Sequence, residues 1–191
     1  MFTVVLDACV LIPPTLADTI LRIAETGAFG VRWSADILDE VQRNMLKRGA
    51  TQTQVEHKLR RMTLGFPFAM VEDYEALEAV VTNDPKDRHV LAAAIRSECH
   101  TIVTANLRDF PPESLAPWGV EVVHPNQFLL NQLDLAPGHV VAALHKQSAA
   151  YRNPARSAHE ILGILSRSGV SDFADECRRH LPPTSSDEEH K

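Results

Sequence analysis

The chain opens on an apolar run, Phe2-Thr-Val-Val-Leu6, four of whose five residues are β-branched or aromatic, which predicts a fully buried strand. Asp7 stands at its end, and the apolar pattern resumes at once through Val10, Leu11 and Ile12. Pro13 and Pro14 then open a helix to about Thr26, with Leu16, Ile20 and Ile23 at helical spacing and Gly27 and Gly30 ending it. A short strand over 31–33 leads to Ser34, an N-cap for a helix that carries Ile37, Leu38, Val41 and Met45 on one face and stops at Gly49. Thr51 caps a third helix over 52–64, closed by Gly65 and Pro67. A short strand over 68–71, a helix over 88–99 with Val90, Leu91, Ala94 and Ile95 inward, strands over 101–104 and 120–123, and a helix over 126–133 follow. Alternation of strand and helix predicts an α/β domain with a parallel sheet in three layers, α/β/α.

Beyond residue 135 the pattern is helical only. One helix starts at Pro137-Gly138, a second is capped by Asn153-Pro154 and reaches Ser168, and a third runs from Ser171 to Pro182-Pro183. Val140, Leu144, Ile161, Leu162 and Leu165 need a partner surface: the rest of the chain, a second copy, or another protein. The expected organisation is an α/β domain over 1–135, a helical extension over 136–181 and a polar, disordered tail over 182–191.

Composition adds limits. The chain has 191 residues, 45% hydrophobic and 23% charged, enough to bury a real core, and no stretch approaches the roughly 20 apolar residues of a membrane span. No membrane is expected, and the cytoplasm is the expected location. Cys9, Cys99 and Cys177 are odd in number and far apart, so they read as core thiols and not as a disulfide framework or a cysteine-ligated zinc site. The nine histidines form no His-Glu-x-x-His pair and read as surface groups or supports for other ligands.

The net charge of −6 would disfavour nucleic acid if it were spread evenly, but it is segregated. Arg43, Lys47, Arg48, Lys58, Arg60 and Arg61 crowd the hairpin of the second and third helices, against the single acid Glu56. Residues 72–87 carry Glu72, Asp73, Glu75, Glu78, Asp84 and Asp87 against Lys86. A basic surface beside an acidic pocket is what a metal-dependent phosphodiester enzyme needs; a solvated helix face is the plainer alternative.

Acidic and amide side chains recur at separate stations: Asp7 after one strand, Glu40 on a helix beside its apolar rows, Asp84 and Asp87 at a helix start, and Asn106 with Asp109 after another strand. Each has a local alternative, since carboxylates at a helix N-terminus are commonly caps. Together they predict a cluster at the carboxyl edge of the sheet, where like charges call for a cation. Oxygen donors without Cys or His point to Mg²⁺ or Mn²⁺, which can activate water and stabilise phosphoryl charge.

Four stretches carry a family resemblance: Val-Leu-Asp7-Ala-Cys-Val-Leu-Ile, the Ser34-Ala-x-Ile-Leu-x-Glu40-Val helix, Asp84-Pro-Lys-Asp87-Arg-His-Val-Leu-Ala-Ala-Ala, and Ile-Val-Thr104-Ala-Asn106-Leu-Arg-Asp109-Phe110. In order and spacing they resemble the signature blocks of PIN-domain ribonucleases, VapC-type toxins of toxin-antitoxin pairs in particular, over about residues 1–130. The resemblance implies a three-layer PIN-like fold with a central parallel sheet, Mg²⁺ or Mn²⁺ as cofactor, RNA as substrate, and an antitoxin protein as partner. Asp7, Glu40 and Asp87 match the family's best-defined acids, with Asp84 an adjacent extra. Asn106 stands where the family usually has aspartate; Asp109 is the alternative fourth donor, with a turn or cap as its other role. The expected function is a metal-dependent endoribonuclease, alone or as a homodimer, with the basic hairpin positioning the RNA. A catalytically weak RNA- or protein-binding module with the same fold is the alternative, supported by Asn106. A metal-dependent phosphatase is weaker, because Asp7-Ala-Cys9 replaces the paired Asp-x-Asp expected after its first strand.

Overall fold

A computed structural model describes residues 2–182; the expected disordered tail lies, Pro182 apart, outside the described residues. The elements are β1 (Thr3–Leu6), a single helical turn α1 (Ala8–Leu11), α2 (Pro14–Glu25), β2 (Gly30–Ser34), α3 (Ala35–Lys47), α4 (Gln52–Gly65) and β3 (Met70–Val71). They continue with α5 (Glu75–Glu78), α6 (Arg88–Arg96), β4 (Thr101–Val103), α7 (Pro112–Leu115), β5 (Glu121–Val123), α8 (Pro125–Leu135), α9 (Pro137–Ala150), α10 (Ala158–Arg167) and α11 (Ser171–His180). The five strands form one sheet in the order β3-β2-β1-β4-β5, every pairing parallel and helices flanking it, as the α/β/α reading expects. Among the described residues no helix is long and apolar enough to cross a membrane.

Among the described residues, chain packing groups 2–14 with 29–124, and 15–28 with 125–182. In the first unit β1 is central, and Val4, Val5 and Leu6 are wholly buried, as are Ile102 and Val103 beside them. Such strands read as continuous apolar runs because both faces are covered. Helix α6 packs against β1, β2 and β4, and Ala92, Ala93 and Ala94, all 0% exposed, let its backbone come close. Ser34 caps α3 by accepting the Ile37 amide, and Thr51 and Gln54 form a capping box on α4, so the signals read as helix starts are used as such. Helix α6 is shorter than expected. It stops at Arg96 because Glu98 turns to φ 54, a left-handed conformation that ends the helix and returns the chain to β4.

In the second unit α2 joins α8 to α11. Thr19 Oγ1 lies 2.8 Å from both the Thr15 carbonyl and Gln147 Oε1, its one proton shared between the two acceptors, and Gln147 Nε2 donates to the Thr15 carbonyl at 3.1 Å. A glutamine that is 0% exposed thus has both ends of its amide bonded, tying α2 to α9. Val140, Leu144, Ile161, Leu162 and Leu165 are all 0% exposed in this unit. The start of α10 differs from the expectation. Pro154 follows a cis bond from Asn153, and the cap is Ser157, whose hydroxyl accepts the Glu160 amide at 3.2 Å while Glu160 Oε2 accepts the Ser157 amide at 2.7 Å. The Ser-x-x-Glu spacing outweighs the proline as a start signal because it satisfies two orphan amides at once.

Candidate active site

Strands β2 and β3 lie on one side of β1, and β4 and β5 on the other, so the strand order reverses between β1 and β4. At such a point the crevice beyond the carboxyl ends of the strands is open to a ligand. Leu6 pairs with Val103, and the Asp7 amide donates to the Val103 carbonyl at 3.1 Å, which sets Asp7 and Thr104 side by side at that edge.

Asp7 is 2% exposed. It precedes α1 with extended backbone, yet its side chain makes no capping bond, so the capping alternative does not account for its burial. Thr104 Oγ1 donates to Asp7 Oδ2 at 2.6 Å and the Cys9 thiol donates to the same oxygen at 3.1 Å, leaving Oδ1 without a donor among the described residues. Thr104 Oγ1 also accepts the Asn106 amide at 3.0 Å, and Cys9 Sγ accepts the Ala105 amide at 3.3 Å. Cys9 is therefore no plain core thiol, whereas Cys99 and Cys177 are buried and all three are free. Burial, and then the Asp7 charge, push the Cys9 thiol up to about 12, so it stays protonated as a donor.

The other acids crowd toward the same place. Asp87 sits at the N-cap position of α6 without a side-chain capping bond. Its carboxyl is pushed up from 3.8 to about 7 by burial first, then by the charges of Asp7, Asp109, Glu40 and Asp84. Glu40 on α3 is also raised, by burial and by Asp7, with His89 and Arg43 opposing. Asp84 binds its own loop: Oδ1 accepts the Lys86 amide at 3.0 Å and its amide donates to the Asp109 carbonyl at 3.1 Å, so the turn role and the cluster coexist there. Asn106 is exposed, while Asp109 is half-buried. Five carboxylates from four stretches of chain thus act electrostatically on one neighbourhood.

Oxygen donors with uncompensated negative charge have the chemistry a hard divalent cation requires, and the open Oδ1 of the buried Asp7 fits that demand. Among the described residues no three His, Cys, Asp or Glu side chains stand arranged to hold an ion. Closer approach of such charges is opposed by repulsion, since two carboxylates about 5 Å apart repel by roughly 3 kcal/mol at an effective dielectric of about 20. Of the basic set, Arg43, Lys47, Arg48, Arg60 and Arg61 are exposed on α3 and α4, and Arg43 is near enough to Glu40 to oppose its shift. Lys58 is half-buried, and its ammonium donates to the Leu11 carbonyl.

Residues 3–108 match the PIN domain family, and residues 125–179 match the family described as the VapC50 C-terminal domain. The chain belongs to the PIN-domain family. It is similar to "Putative ribonuclease VapC50" of Mycobacterium tuberculosis, 40% identical over 118 residues that cover 62% of this chain and 69% of that protein. No solved structure matches the chain. Sequence reasoning missed Cys9 as a partner of Asp7; its signal was a polar atom two residues past a buried acid.

Proposed function

We propose that the protein is a metal-dependent endoribonuclease that cuts RNA phosphodiester bonds in the cytoplasm as the toxin of a toxin-antitoxin pair, with its antitoxin and RNA as partners. The observation that carries this reading is the joint action of Asp7, Asp109, Glu40 and Asp84 on Asp87 at the carboxyl edge of β1 and β4. Asp7, Glu40 and Asp87 would hold Mg²⁺ or Mn²⁺, with Asp84, Asn106 and Asp109 bordering them. When bound, such an ion activates water and neutralises charge developing on the phosphoryl oxygens. Thr104 and Cys9 keep Asp7 in one orientation, so the carboxylate need not be ordered at each turnover. Asp87, whose carboxyl burial and neighbouring charges raise to about 7, would have to give up its proton to hold such an ion. Residues 1–135 carry this chemistry in our reading, and 136–181 form an accessory helical part. Purified protein with Mn²⁺ and a mixed RNA pool tests it: cleavage that EDTA abolishes is expected, and RNA binding without cleavage selects the binding-module alternative that Asn106 favours.

Changing Arg60 and Arg61 to alanine is expected to weaken RNA binding and to lower the slope of log K against log salt by about 1.4, at roughly 0.7 per lost phosphate contact. Binding measured across a salt series checks this, and an unchanged slope would make the hairpin a solvated face. For the fourth donor, the stronger candidate in space is Asp109, whose charge weighs on Asp87 more than that of Glu40 does, while Asn106 lies exposed. Asp109→Ala is expected to weaken Mn²⁺ binding about tenfold, and Asn106→Asp to change it little. The reverse pattern would give the place to Asn106.

A further inference from the structure

We propose that His89 is a positioning residue that holds Glu40 in place within the acidic cluster, an inference that rests on the ribonuclease reading of that cluster. Asp7 is fixed by two side-chain donors, and Asp84 by its own turn. Glu40 has the longest side chain of the set, and its carboxylate accepts no hydrogen bond from the described residues. The group nearest to completing it is His89 Nε2, 3.9 Å from Glu40 Oε2. That nitrogen is buried and has no hydrogen-bond partner. A buried orphan nitrogen is disfavoured, and an unanchored carboxylate loses side-chain entropy whenever it must take one rotamer. A buried orphan nitrogen 3.9 Å from a partly exposed carboxylate oxygen comes within hydrogen-bond range by one small rotation of the glutamate, which gives the nitrogen a partner and the carboxylate an anchor. The placement follows from the helices. His89 sits on α6 two residues after Asp87, and α6 packs against α3, which carries Glu40. One helix therefore presents a candidate acid of the site together with the group that orients another acid from the neighbouring helix, as outer partners of ligating carboxylates commonly do.

The test is calorimetric titration of Mn²⁺ into the full chain as wild type, His89→Leu, His89→Gln, Glu40→Gln and the His89→Leu/Glu40→Gln pair. His89→Leu is expected to lower Mn²⁺ affinity roughly 10- to 100-fold. His89→Gln, whose amide N–H reaches a similar place, is expected to restore it to within about threefold of wild type. In the Glu40→Gln background His89→Leu should cost nothing further, since the histidine acts through that carboxylate. A merely structural role would lower affinity equally in both backgrounds, and that result overturns the proposal, as does unchanged affinity in His89→Leu. Should the leucine variant fail to fold, His89→Asn, whose amide is too short to reach Glu40, takes its place in the same cycle. Asp87→Asn separates the role of His89 from the existence of the site. Wild-type binding lost in Asp87→Asn but kept in His89→Leu removes the role of His89 alone, and wild type that binds no Mn²⁺ overturns this role and the site reading together.

Discussion

Replacing Asp7 by asparagine is expected to reduce RNA cleavage by a factor on the order of 10²–10³ or more while leaving the protein folded. The side chain is 2% exposed, so removing its charge deletes the most deeply placed negative group of the cluster. The fold should tolerate the change. An asparagine oxygen in the place of Oδ2 can still accept from Thr104 Oγ1, which stands 2.6 Å away, and from the Cys9 thiol, with its NH₂ in the place of Oδ1. What it cannot do is supply the anionic oxygen that a hard cation prefers. Cleavage of a labelled RNA in Mn²⁺, read beside circular dichroism of both proteins, checks this. A folded Asp7→Asn protein with activity within tenfold of wild type would remove Asp7 from the chemistry.

Asp87→Asn is expected to stabilise the protein in EDTA above neutral pH and to have no such effect near pH 4. Its carboxyl is raised from 3.8 to about 7, so the folded state binds the proton more tightly than the unfolded chain does. Below about 4 both states are protonated and the group contributes nothing. Between about 4 and 7 the unfolded chain ionises first, so stability falls as pH rises, and above about 7 the loss is complete. A shift of about three units corresponds to a ceiling of about 4 kcal/mol. Partial exposure and solvent screening bring this to about 1–2 kcal/mol. Asparagine removes that loss, which raises the melting temperature at pH 8 by about 2–8 °C. Saturating Mn²⁺ reverses the order, because only wild type gains the stabilisation that comes with ligand binding. Thermal melts of both proteins at pH 8 and near pH 4 decide it, and equal melting temperatures at pH 8 would mean that the carboxylates do not crowd Asp87.

The sheet was legible because its central strands, β1 and β4, are short and almost wholly buried, and a run such as Val-Val-Leu6 has no amphipathic competitor. Asp7 and Asn106 were legible as candidates because each follows an apolar strand, and Asp87 because it stands at the start of an apolar helix. Pair contacts between distant residues were not. The sequence of α2 shows an amphipathic helix in need of a surface, but it does not show that Gln147, 128 residues beyond Thr19, bonds both Thr19 and the Thr15 carbonyl and so ties α9 to it. His89 looked like any polar residue early in a helix, and its nearness to Glu40 depends on how α3 and α6 pack. The start of α10 differs for another reason: Asn153-Pro154 reads as a helix start, whereas the capping pair Ser157 and Glu160, a few residues on, is what begins the helix.

In the proposed function the carboxylates act as one site for a divalent ion on which RNA cleavage depends. Calorimetric titration of Mn²⁺ into wild type, Asp7→Asn and Asp87→Asn, with RNA cleavage followed on the same samples, tests that directly. Saturable binding and EDTA-sensitive cleavage are expected in wild type, with both lost in each folded variant. Undiminished Mn²⁺ binding in both variants, or cleavage that survives them, would contradict it.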